Sequence, residues 1–328
     1  DLNTTDVTNF ISGVGGGASS ISADPAAATV QINGIDANDT TLTLSAAAVD
    51  LDLDGTTGTN DTVTVSAKGA VALDASDTDL VEKISLSGNA AAVTYTVTGA
   101  TAASMTYGVT GDQNVTIAGA GNQFTTSKFS DTSTAGTSTL KLSSSSAAAV
   151  DVSTWGVLSG GVELSGDYGA QTLMVASGNT IKVSADQTGA ITLDTNDGGT
   201  SSSLTLDLDN DTVAITTADV DSLTVNTGDM ALIIAGALNA ADNDATLAIA
   251  GTNDVTINAA VSGGDVSWVS LDATVAAGGI DADGDLTITA TNDISVTGAI
   301  TADNDVVMSG NDINIATGLS TAASSATD

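Results

Sequence analysis

Arginine, histidine and cysteine are all missing from this chain of 328 residues. Without cysteine there is no disulfide framework and no thiolate nucleophile. Without histidine and arginine, the commonest general base and the usual clamp for a developing anion are missing. Carboxylate pairs alone can cleave glycosides, but aromatic residues make up only 2% of the chain, so the sugar platforms that accompany such pairs are absent. No enzyme activity is expected. Lysine is scarce as well, at five residues. Phosphate binding depends on Lys and Arg, so nucleic acid and anionic lipid are excluded as partners. Only one proline, Pro25, interrupts the chain. No apolar run approaches the length of a membrane span, and no membrane insertion is expected. Asp1 does not open a charged segment leading into an apolar one, so no signal peptide is visible. The start at Asp reads as that of a processed chain or a piece of a longer one.

What is present is acid. Forty Asp and Glu give a net charge of −35, and Glu82 and Glu163 are the only glutamates. A polyanion of this kind attracts divalent cations, with Ca2+ as the expected ligand. High net charge alone favours disorder, but apolar residues reach 41%. They are mostly Ala, Val, Ile and Leu in strict alternation with Thr, Ser and Asp, which is the pattern of strands.

That alternation repeats. From Asn243 to Ala323 the chain falls into blocks of about twenty residues, the mark of a stacked-coil solenoid. Each block holds two copies of one phrase: a turn residue, an Asp, then apolar, polar, apolar. The Asp is Asp244, Asp265, Asp285 and Asp305 in the first phrase, and Asp254, Asp272, Asp293 and Asp312 in the second. Alternation aims Ala245/Leu247, Val266/Trp268, Leu286/Ile288 and Val306/Met308 inward as one stack. Val255/Ile257, Ala273/Val275, Ile294/Val296 and Ile313/Ile315 form a second. Trp268 is the bulky member of its stack and needs local space.

The expected fold is all-β, a β-solenoid of the parallel β-helix type, best supported over residues 190–323. Three segments follow. Residues 1–29 form a lead-in, 30–155 a β-rich segment, and 156–328 the regular solenoid. The twenty-residue register is poorer in the middle segment, where an irregular solenoid and a β-sandwich both fit. Residues 121–160 are rich in Ser and Thr and hold Phe124, Phe129 and Trp155. They read as a junction between two solenoid segments or as a loop that packs a cap, and 147–155 fits a short helix.

Candidate metal ligands come in three groups. Asp50, Asp52 and Asp54, followed by Gly55 and with Asp61 at the twelfth place, match the spacing of a calcium loop. The competing reading is a strand with its Asp residues alternating outward. Asp207, Asp209 and Asp211 alternate in the same way, as do Asp281, Asp283 and Asp285 after Gly278–Gly279. The last group approaches a glycine-rich calcium nonapeptide without its third glycine. Thr-x-Thr pairs such as Thr41/Thr43 would mark a lattice-binding face if kept from coil to coil. In the aligned blocks the pair changes (Thr246/Ala248, Ser267/Val269, Thr287/Thr289, Val307/Ser309), so outward Thr is read as a good strand residue.

The phrases DLVEKISLSGNAAAVTYTVTGA, QNVTIAGAGNQFTTS and STLKLSSSSAAAVDVSTW resemble Gram-negative bacterial surface-layer proteins related to calcium-dependent secreted repeat proteins. GDLTITATNDISVTGAITADNDVVMSGNDINIATG is similar to filamentous haemagglutinin-type adhesin repeats. The surface-layer resemblance implies secretion to the cell surface, self-assembly into a lattice or filament, and calcium dependence. The rival function is the stalk or binding module of a bacterial adhesin, with a cell-surface glycan as partner and the Ser/Thr-rich region Phe124–Trp155 as the place to bind it.

Overall fold

The computed structural model describes residues 9–321 with gaps. Up to residue 136 it describes little beyond the strands. From residue 137 it describes all but 145–149, 169–171, 196–201, 209–213, 219, 228–231 and 241–245. Two compact units divide the chain, Asp1–Gly161 and Val162–Asp328. Both are built from parallel strands with almost no helix, and coils recur about every 20 residues. The fold is a β-solenoid.

In the first unit one ladder runs Asn9–Ser12, Ala28–Ile35, Ala48–Gly55, Ala70–Asp74, Ala92–Thr98, Asn114–Ala120, Ser138–Ser144. A second runs Ser19–Ala23, Thr40–Leu44, Thr62–Ala67, Lys83–Gly88, Thr106–Val109, Lys128–Asp131. Successive strands of a ladder lie one coil apart in sequence and pair in parallel, as Val30 with Leu51 and Leu42 with Val65 do. A sandwich of the immunoglobulin type is built from antiparallel sheets, so the sandwich alternative for residues 30–155 falls. Strands also lie within residues 1–29, where a lead-in was expected. The helix expected over 147–155 is not formed: Val150–Val152 is a strand, and only Ser153–Trp155 makes a single 3-10 turn. That turn buries Trp155 edge-on against Phe124, with ring centroids 5.7 Å apart.

In the second unit the first ladder runs Val162–Leu164, Thr180–Val183, Ser203–Leu208, Ser222–Asn226, Thr246–Ala250, Val266–Ser270, Leu286–Ala290, Val306–Ser309. The second runs Thr172–Val175, Ala190–Asp194, Ala214–Ala218, Leu238–Asn239, Val261–Gly263, Ile280–Ala282, Ile300–Ala302, Leu319–Thr321. A third ladder opens part-way along, with Leu232–Ile234, Val255–Ile257, Ala273–Val275, Ile294–Val296 and Ile313–Ile315. The later coils are therefore three-sided, where the sequence phrases show only two strands.

The core is the inside of the coils. Leu286, Ile288, Ile294, Val296, Ile300 and Ala302 of one coil are all buried, each stacked on its counterpart in the next. β-Branched and aliphatic residues alternate with outward polar ones, which is what a strand with one buried face requires. One expected register is corrected. Val266 pairs with Leu247 and Trp268 with Ile249, so Leu247 and Ile249 point inward, two residues on from the expected pair. Trp268 keeps its inward position at 1% exposure, between Ile249 and Ile288. Among the described residues no helix is long and apolar enough to cross a membrane.

Candidate functional site

The acidic columns are the most ordered chemistry on the second unit, and the coil geometry assigns them a task. The Asp265 carboxylate accepts the backbone N–H of Asp285 at 2.8 Å, and the Asp285 carboxylate accepts that of Asp305 at 3.1 Å. On the next side of the coil Asp272 accepts the N–H of Asp293 at 2.8 Å. Each bond spans one coil. At these corners the chain is about to enter a strand, and the backbone N–H just before it lies outside the ladder. A carboxylate from the coil before supplies an acceptor, as a capping side chain does at a helix start. Gly284 belongs to the same corner, because a side chain there would run into the Asp265 carboxylate.

Other acids make the same coil-to-coil link to different donors. Asn226 donates from its amide to Asp207 at 2.8 Å, and the Thr301 hydroxyl donates to Asp281. Ser184 donates to Glu163 at 2.7 Å, and Thr188 donates to Asp167 from its backbone and its hydroxyl. Ser202 and Asp221 bond reciprocally: the Ser202 N–H reaches the carboxylate at 2.6 Å, and the Asp221 N–H reaches the Ser202 hydroxyl at 3.0 Å.

Repulsion within such a column is modest. Carboxylates held near the strand spacing of about 4.8 Å repel by about 1 kcal/mol per pair in water. A net hydrogen bond contributes about 0.5–1.5 kcal/mol. The two are of one size, so ions in solution can tip the balance. Asp254 departs from the pattern: its Oδ1 is enclosed with no hydrogen-bond partner.

The three expected ligand groups are placed as follows. Asp50, Asp52 and Asp54 lie on the strand Ala48–Gly55. The register sets Asp50 beside Thr29 and Ala72, and Asp52 beside Gln31 and Asp74. The backbone here is an extended strand, whereas a calcium loop curls the chain around the ion. Asp61 lies outside the described residues. Asp207 is the last residue but one of the ladder strand Ser203–Leu208, while Asp209 and Asp211 lie outside the described residues. Asp281 is the central residue of a three-residue strand, Asp283 is an exposed turn residue, and Asp285 belongs to the capping column. Among the described residues no three acidic side chains are grouped to hold a metal ion.

Gly278–Gly279, which read as part of a nonapeptide, makes a tight corner within one coil, between Ala273–Val275 and Ile280–Ala282. Gly278 sits at a φ of 81°, where a Cβ is strained. A side chain at Gly298 would strike the Gly278 carbonyl one coil before. These glycines let backbone pass against backbone.

Two features escaped the sequence reading. In the first unit the hydroxyl pair is kept across neighbouring strands, from Ser20/Ser22 through Thr41/Thr43 and Thr64/Ser66 to Ser85/Ser87. The signal lay in residues 19–88, outside the blocks whose register was legible. In the second unit a buried amide, Gln187, accepts the Tyr168 N–H at 2.7 Å and donates to the carbonyls of Gly166 and Ala185. Burial pushes the Tyr168 phenol well above its ordinary value. Around the expected glycan site, Phe124 and Trp155 are both buried, so neither ring is an exposed platform for a sugar.

Comparison with family models, with curated proteins and with solved structures gives no match.

Proposed function

We propose that the chain is an extracellular structural protein, a self-assembling subunit of a bacterial cell-surface layer or filament stabilised by calcium. It is a scaffold and not an enzyme. What supports the reading is the use to which the acids are put. In the second unit, acids from Glu163 to Asp285 are committed to holding one coil on the next. A chain whose polar side chains serve its own repeat is suited to carrying shape and load. Calcium enters through charge: at −35, contact between copies brings acid against acid, and a divalent cation screens or bridges that repulsion.

The test is particle size by light scattering, with negative-stain imaging, in calcium and after chelation. Ordered assemblies in calcium that disperse on chelation are the expected result. A protein that stays monomeric in both conditions overturns the reading.

A further inference from the structure

We infer that the coils of the first unit that bear Lys83 and Lys128 are a docking surface for an acidic corner of the second unit in another copy of this chain. The inference rests on the self-assembly reading above and adds which surfaces meet. It starts from an uneven charge. Between Glu82 and Asp151 the chain carries three of its five lysines, Lys83, Lys128 and Lys141, and only two of its forty acids, Asp112 and Asp131. That stretch is slightly positive within a chain of −35.

The fold gathers the lysines. Lys83–Gly88, Thr106–Val109 and Lys128–Asp131 are successive strands of one ladder. Lys83 is in register with Thr106, and Thr106 with Lys128. The two lysines therefore share one register column, two strand spacings or about 9–10 Å apart, with a hydroxyl residue between them. All three open their strands. Lys141 lies on the other ladder of the same unit, in register with Ala118.

The second unit holds a column of the opposite charge. Asp265, Asp285 and Asp305 are exposed, and each stands just before a strand, at Val266, Leu286 and Val306. Those strands pair in register, so Asp265 and Asp305 are also two strand spacings apart. Lys–Thr–Lys in one unit has the pitch of Asp–Asp–Asp in the other. Asp265 and Asp285 each engage Oδ1 with the N–H of the following coil, and their Oδ2 atoms accept no hydrogen bond among the described residues. An ammonium and a hydroxyl are both donors to such an oxygen.

A second copy is the occupant that these charges favour. Two copies approach as polyanions, and the lysine-bearing coils are where repulsion gives way to attraction. Because the two surfaces differ, the contact is heterologous and propagates from copy to copy. Calcium then screens the acids outside the contact, while monovalent salt weakens the contact itself.

Two experiments on the full chain, both in calcium, test this. In the first, sedimentation velocity compares the protein with Lys83→Glu/Lys128→Glu and with Lys68→Glu/Lys182→Glu, which makes the same change in net charge outside the stretch. The first variant is expected to associate about tenfold more weakly or worse, and the second much as the parent does. If Lys83→Glu/Lys128→Glu associates normally, this inference fails and the self-assembly reading stands. Equal weakening of both variants also overturns the inference, because net charge alone is then responsible. If the unaltered protein never associates, the reading fails and this inference with it.

The second experiment uses the unaltered protein, and so decides the matter where a variant fails to fold. Equal parts of isotope-labelled and unlabelled protein are treated with a carbodiimide. The reagent activates a carboxylate and departs as a urea when a lysine amine displaces it to form an amide. Mass spectrometry of the digest separates labelled–unlabelled links, which join different copies, from links within one copy. Lys83 and Lys128 are expected to join Asp265, Asp285 or Asp305 in labelled–unlabelled pairs. Links between these residues only within single copies, links of the two lysines only to other acids, or no link between copies overturn the inference.

Discussion

Asp265 and Asp285 lie one coil apart, and the carboxylate of the first receives the backbone N–H of the second at 2.8 Å. The bond separates what an acid does as an acceptor from what it does as a charge. Replacing Asp265 and Asp285 by Asn keeps a side-chain oxygen at each corner and removes the repulsion along the column. Replacing both by Ala removes the acceptor. The Ala variant is expected to lose about 0.5–1 kcal/mol for each cap, discounted toward the lower figure because the site is exposed. The Asn variant is expected to match or exceed the parent. Urea midpoints at low and at high salt check this, and the parent alone should gain from salt.

A buried amide is a different matter. Gln187 joins the backbone of Tyr168 to those of Gly166 and Ala185. Gln187→Leu fills similar space but leaves those groups without their partner. The expected loss is about 1–3 kcal/mol, read as a fall in the urea midpoint with an unchanged slope.

At Gly298 the demand is steric. A Cβ there has no room beside the Gly278 carbonyl, and that neighbour is backbone, which cannot swing aside. Gly298→Ala is expected to cost about 1–3 kcal/mol through overpacking. Ala substitution at Gly156, where the same position meets open space but φ is 75°, isolates the cost of backbone strain alone. Thermal midpoints of the two variants separate the effects.

Alkaline pH should weaken the fold through Tyr168. Burial raises its phenol in the folded state, so the folded chain holds the proton after the unfolded chain has lost it near pH 10. The contribution is fully present below about pH 10 and is lost as pH rises above it. Urea midpoints at pH 8 and pH 11 should fall more steeply for the parent than for Tyr168→Phe. Equal slopes would remove Tyr168 from the account.

The strands were legible where aliphatic and polar residues alternate for long enough to show a period of two. Val306/Met308 and Ile313/Ile315 were assigned inward in the registers the ladders display. The side of the later coils formed by the second ladder was not legible. Its strands, such as Ile280–Ala282, are three residues long, and one of those is Asp281. So short a run carries no period, and the acid inside it read as a ligand. The register of Leu247 slipped because Asp244 was taken as the marker, whereas the structure aligns Leu247 with Val266.

By itself, then, the sequence determined what depends on neighbours along the chain. Alternation makes strands, the recurrence of turn residues makes coils, and the −35 charge is written in the composition itself. The tertiary structure alone decided what each acid does. Asp281 meets the Thr301 hydroxyl, Asp207 meets the Asn226 amide, and Asp285 meets the N–H of Asp305. Those donors sit about twenty residues away in sequence and one strand spacing away in space, and only the pitch of the coil brings them within hydrogen-bond reach.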